Sequence, residues 1–163
     1  MFKKEQAGFT YVAILFAVAI AGILLARVGI DWSQSAQREK ERELLFIGGQ
    51  FRQAIASYYQ RTPGLVKRYP ARLDDLISDT RYNPPQHYLR RLYRDPITNQ
   101  VEWGTVMAPE GGIMGVHSLS DAAPIKTSGF RENEITFEGK KKYAEWVFLY
   151  APSQMDPAVK PLR

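Results

Sequence analysis

Eighteen consecutive residues, Phe9 to Ala26, carry no charge. As a helix at ~1.5 Å per residue this run spans about 27 Å, close to the ~30 Å hydrocarbon core of a bilayer. Ahead of it stands the charged stretch Lys3-Lys4-Glu5-Gln6-Ala7-Gly8. A cleaved secretory signal has an apolar region of only ~7–15 residues and a small-residue cleavage site before a soluble chain, whereas this run is longer and is followed by more helical sequence. A plain uncleaved anchor fits the composition equally well. Lys3 and Lys4 precede the run, while Arg27 and Asp31 beyond it largely offset one another, so the positive-inside tendency puts the N-terminus in the cytoplasm.

Beyond Ala26 the helix is expected to leave the lipid near Trp32, a residue suited to the membrane–water boundary. In Arg38-Glu39-Lys40-Glu41-Arg42-Glu43, opposite charges recur three apart and can pair along a solvated helix face. Leu44, Ile47, Phe51, Ala54, Ile55 and Tyr58 then recur at steps of three and four, the stripe of a helix that buries one side; this stripe is expected to face a sheet. Gly48-Gly49 lies within it, costs about 1 kcal/mol of helix stability per glycine, and points to a bend or to close packing. Pro63-Gly64 stops the helix. The pattern predicts one helix from Phe9 to Tyr59, with a lipid-soluble first half and an amphipathic second half.

The proline- and arginine-rich middle predicts two short helices, Tyr69 to Leu76 and Gln86 to Tyr93, the second ending before Asp95-Pro96. From Val101 the pattern turns to strands: Val101–Met107, Ile113–Ser118, Ile135–Phe137 and Tyr143–Tyr150, with turn chemistry at Pro109-Glu110-Gly111-Gly112 and Glu138-Gly139-Lys140. The expected fold is therefore α+β, a long N-terminal helix packed on a small antiparallel sheet. A tail at 151–163, with three prolines and few apolar residues, reads as irregular.

The chain contains no cysteine, which rules out disulfides and thiolate metal sites. His87 and His117 are far apart in sequence, and no zinc motif is present. The net charge of +5 becomes +4 once residues 1–8, with two lysines and one glutamate, are removed; this mild basicity fits a solvated surface. His117-Ser118-Leu119-Ser120-Asp121 gathers the residue types of a nucleophilic triad, but triads are set by spatial geometry, and a turn with local Ser and Asp hydrogen bonds explains the same residues. Asp74, Asp75 and Asp79 read as solvating carboxylates, with Asp75 and Asp79 sharing a face. Gly111-Gly112-Ile113-Met114-Gly115 reads as a hairpin turn, since no Lys-Ser/Thr follows it. Lys140-Lys141-Lys142 with Tyr143 and Trp146 has the ingredients of a single-strand nucleic-acid site, but lysines at a turn also protect sheet edges, and that reading is preferred.

The order Lys-Lys-x-x-x-Gly-Phe-Thr before the apolar run resembles the processing site of type IV prepilins and of the pseudopilins of type II secretion. Tyr69-Pro70 before a leucine-bearing segment, and Asp95-Pro96-Ile97-Thr98-Asn99 followed by Trp103-Gly104, extend the likeness to the G-type pseudopilin. The resemblance implies cleavage by a prepilin peptidase between Gly8 and Phe9, methylation of the new Phe9 amine, retention of the apolar run as an anchor, and assembly with other pilin or pseudopilin subunits by an ATPase-driven inner-membrane platform. It implies a leader at 1–8, a transmembrane helix at 9–30, its amphipathic continuation at 31–60, a periplasmic head at 61–150 and the tail at 151–163.

There are three departures from the family pattern, the first being that Asp95-Pro96-Ile97-Thr98-Asn99 with Trp103-Gly104 stands in place of a tighter Asp-Pro-Trp-Gly turn. The fifth mature residue, a glutamate in the family, is Ala13 here. The family's aspartate-rich calcium loop has no counterpart after Asp121, so calcium is not carried over and no cofactor is expected. Ala13 keeps open a bitopic inner-membrane protein whose periplasmic domain binds a ligand or partner without polymerising. An anchored hydrolase using His117 with Ser118 or Ser120 is the enzymatic alternative to what is otherwise a non-enzymatic, structural reading.

Overall fold

The computed structural model describes residues 7–152, with side chains described for 11–22 and 32–152. The expected leader residues 1–6 and tail residues 153–163 lie outside the described residues. The chain forms two compact units, Met1–Glu39 and Lys40–Arg163. One helix, α1 (Ala7–Gln60), contributes to both.

In the second unit the stripe on α1 behaves as its spacing demands: Leu44, Phe51 and Ile55 are wholly buried, and Ile47, Ala54 and Tyr58 nearly so. They pack against a three-stranded antiparallel sheet of order β1-β2-β3, where β1 is Gly104–Met107, β2 Ile113–His117 and β3 Phe148–Leu149. The fold is α+β, as the sequence predicts. Phe51 meets the Trp103 ring at 5.1 Å between centroids. Gly48 lies so close to Phe148 that a Cβ there would come within 2.4 Å of the ring. The glycine therefore serves close packing.

α1 ends where Pro63 and the positive φ of Gly64 (85°) forbid another turn. Two cations satisfy carbonyls left over by the last turn: Lys67 Nζ donates to Gln60 O at 2.8 Å and Arg81 Nη2 to Tyr58 O at 3.3 Å. The β1–β2 hairpin turns at Gly111 and Gly112, with φ of 89° and 85°, and the register slips by one residue between Val106 and Met107. Gly112 also packs against Tyr69, and the Ile113 amide donates to Pro70 O at 2.7 Å, which ties the middle segment to the sheet.

Several expected elements differ. Ile135–Phe137 is not a strand but part of a 3-10 helix, Glu132–Phe137. Its buried residues are Glu134 and Phe137, three apart, while Ile135 stays 55% exposed. A strand would have put Ile135 and Phe137 on one face. Gln86–Tyr93 forms no helix: the Tyr88 and Leu89 amides both donate to Leu76 O at 2.9 Å instead of to their own preceding turn. The helix expected over Tyr69–Leu76 is only the 3-10 turn Leu73–Leu76. Val101–Met107 shortens to β1, and Tyr143–Tyr150 divides into a 3-10 turn, Tyr143–Glu145, and β3.

Candidate functional site

Within the first unit every described side chain of the apolar run, Tyr11 to Gly22, is exposed, including Phe16 at 66% and Val18 at 65%. Ala13 is among them, and no carboxylate occurs in the stretch. Gly8 and Phe9 fall at the start of α1, where side chains lie outside the described residues. Among the described residues no helix is long and apolar enough to cross a membrane. The described part of the run covers about 18 Å at ~1.5 Å per residue.

In the second unit the residues suggestive of a triad are held apart in function. Ser118 is fully buried and its hydroxyl donates to Asp95 Oδ2 at 2.6 Å. His117 Nδ1 instead lies 2.8 Å from the Ser118 carbonyl oxygen, and its ring fills the space beside Gly104. Asp121 pairs at 2.8 Å with Lys142, whose pKa is raised by that hydrogen bond. Ser118 and Asp95 form a structural joint: Asp95 also accepts from the Ile97 amide at 2.8 Å and from Thr98 Oγ1 at 3.1 Å, which fixes the Asp-Pro-Ile-Thr-Asn turn. Trp103 Nε1 closes the same region by donating to Tyr93 O at 2.8 Å.

The other candidates have similar local roles. Asp75 accepts from the Arg72 amide at 2.9 Å and Asp74 pairs with Arg72. Asp79 does not share their solvated role: it is buried, 2.7 Å from Arg81 Nη2, and accepts from Tyr88 OH at 3.1 Å. Burial alone would raise its pKa, but hydrogen bonds from Arg81 and Tyr88 hold it below the usual carboxylate value. Burial, then the bond to Asp79, pushes the Tyr88 phenol up to about 12. Lys140, Lys141 and Lys142 are exposed, yet Tyr143 and Trp146 beside them are wholly buried and have no face free for a base. Among the described residues no group of three or more His, Cys, Asp or Glu could hold a metal ion.

Glu41 departs from the solvated setting that its charged stretch predicts. Expected on a solvated face, it is only 3% exposed. Its Oε1 accepts from the Ile125 amide at 2.5 Å, the Lys126 amide at 3.2 Å and Tyr143 OH at 2.9 Å. The signal was available: Glu41 stands three residues before Leu44, on the border of the buried stripe. Arg52 is likewise buried at 5% exposure, with its guanidinium 5.6 Å from the Phe148 ring centroid. Desolvation lowers its pKa and the charge of Glu134 opposes that shift.

Among the described residues, three concave surfaces border α1. One, about 570 Å³, lies between Lys40, Glu43 and Ile47 of α1 and the Arg91–Asn99 segment. Another, about 340 Å³, lies between Arg42, Leu45 and Phe46 and residues of the 126–134 segment. Neither of these two brings together a nucleophile and a base; the third, about 260 Å³, is lined by Gln53, Ser57, Arg61, His87 and Tyr88, and there His87 Nδ1 is held against the Ile77 carbonyl oxygen. No family model, no curated protein and no solved structure matches this chain.

Proposed function

We propose that the protein is a pilin-like pseudopilin, a structural subunit anchored in a bacterial inner membrane and assembled into a filament of the type II secretion or type IV pilus kind. One observation carries this reading: the described apolar side chains from Tyr11 to Gly22 are exposed around the whole helix. A helix that is apolar all round needs lipid or other helices about it. With its flanking sequence the run reaches Ala26, long enough to span the hydrocarbon core. On this reading the N-terminus is cytoplasmic, the α+β head is periplasmic, and prepilin peptidase cuts after Gly8 and methylates Phe9. In the filament, Ala17, Ala19, Ala21 and Gly22 let neighbouring helices approach closely. The work is mechanical: a platform lifts subunits from the bilayer, and the heads form the outer surface.

Ala13 favours a second reading, a bitopic protein that stays in the membrane and binds a partner through its head. Without a carboxylate at this position the chain cannot neutralise a neighbour's terminal amine in a medium that screens charge poorly. Ala17→Cys separates the two readings. In membranes that resist alkaline extraction, dimers linked through the introduced thiol support assembly through the anchor. Membrane retention without such dimers favours the bitopic protein, and recovery of the chain in the soluble fraction overturns both.

A further inference from the structure

Two surfaces of the head carry complementary charges beside exposed or lining apolar side chains. The larger groove carries three exposed cations, Lys40, Arg91 and Arg94, against one exposed acid, Glu43. Asp95 also borders it, but is fully buried and bonded to Ile97, Thr98 and Ser118. Ile47 and Leu92 supply its apolar lining. The second surface is the exposed edge of the 3-10 helix Glu132–Phe137 with its C-cap Glu138. At three residues per turn, Glu132, Ile135 and Glu138 fall on one edge, a ridge about 12 Å long at ~2.0 Å per residue. All three are exposed, while Glu134 and Phe137 on the other side are buried. The ridge reads acid, apolar, acid; the groove offers cations around an apolar lining.

These surfaces lie on opposite flanks of α1. Glu43 and Leu45 sit about 100° to either side of the buried Leu44. Glu43 borders the groove, while Leu45 borders the recess that Arg131 and Glu134 share at the root of the ridge. A contact joining the groove of one copy to the ridge of the next leaves a free groove and a free ridge at the two ends. Such a heterologous contact propagates into a filament when its rotation does not close.

We infer that the basic groove receives the Glu132–Ile135–Glu138 ridge of a second copy of this chain. The inference rests on the filament reading, which brings the heads together at high local concentration. Opposite charges at the rim set register and partner choice, and the contact weakens with salt.

Because the chain has no cysteine, paired substitutions report the contact cleanly. Glu43→Cys and Ile135→Cys are introduced into separate full-length chains, coexpressed in membranes with the assembly machinery, and oxidised. The expected product is a mixed dimer, at least about tenfold above a Thr105→Cys and Ile135→Cys control. Arg91→Glu with Arg94→Glu in the groove-bearing chain lowers the yield about tenfold, and Glu132→Arg with Glu138→Arg in the ridge-bearing chain restores it. Mixed dimers at control level, or no response to charge reversal, overturn the proposal. Ala17→Cys in parallel separates the two readings: anchor dimers without groove–ridge dimers sink this contact alone, and the absence of both sinks the filament reading with it.

Discussion

Gly48 and Gly49 are adjacent in one helix and identical to any scale of helix propensity, yet replacing each by alanine is expected to shift stability in opposite directions. Alanine in a helix interior gains about 1 kcal/mol over glycine. At Gly49 nothing lies within 4 Å of the added Cβ, so Gly49→Ala should stabilise the head by about 0.5–1 kcal/mol. At Gly48 the same Cβ would meet three atoms of the Phe148 ring at 2.4 Å. That ring is wholly buried, with Phe137 edge-on at 5.1 Å and the Arg52 guanidinium 5.6 Å from its centroid. It can yield only by displacing β3 or its neighbours. Overpacking of this kind costs about 1–3 kcal/mol, and so close a contact belongs at the upper end, leaving a net loss of about 1–2 kcal/mol after the propensity gain. For a domain of this size each kcal/mol moves the midpoint by about 4–8 °C. Thermal unfolding of the full chain in detergent, followed by near-UV circular dichroism from the buried Trp103 and Trp146, measures both shifts. A Gly48→Ala protein as stable as the parent, or a Gly49→Ala protein less stable, would refute the reasoning.

Glu41→Ala strips the acceptor from two backbone amides and the buried Tyr143 hydroxyl, and should cost about 3 kcal/mol. Because all three bonds fall on Oε1, Glu41→Gln can keep the acceptor and should lose only about 1 kcal/mol, the difference made by charge assistance; equal losses in the same unfolding assay would show that the oxygen is not what matters. The folded-state pKa of Asp79 lies below its ordinary value, so its contribution is present above the unfolded carboxylate pKa and fades as pH falls through the folded one. Midpoints measured from pH 6 down to pH 2 should therefore fall less steeply in Asp79→Asn than in the parent, and parallel curves would contradict the assignment.

The buried stripe from Leu44 to Tyr58 and the Gly111-Gly112 hairpin were legible because periodicity and positive-φ glycines act locally. The strand expected at Ile135–Phe137 was misread because its β-branched and aromatic residues suit either state; burial of Glu134 with Phe137 reveals a period of three. The Gln86–Tyr93 segment keeps its buried Leu89, but spends its amides on the Leu76 carbonyl, a partner no local pattern announces. The candidate site divides in the same way. An exposed apolar stretch can be read directly from composition. The capture of Ser118 by Asp95 and of the 125–126 amides by Glu41 joins residues far apart in sequence, and becomes visible only in three dimensions.

The pseudopilin reading is tested most directly by the intact mass of the membrane-extracted protein after coexpression with a prepilin peptidase, beside a Gly8→Val control. The account predicts loss of residues 1–8 with a methyl group added at Phe9, and an uncut chain in the control. A parent protein that retains residues 1–8 would contradict it.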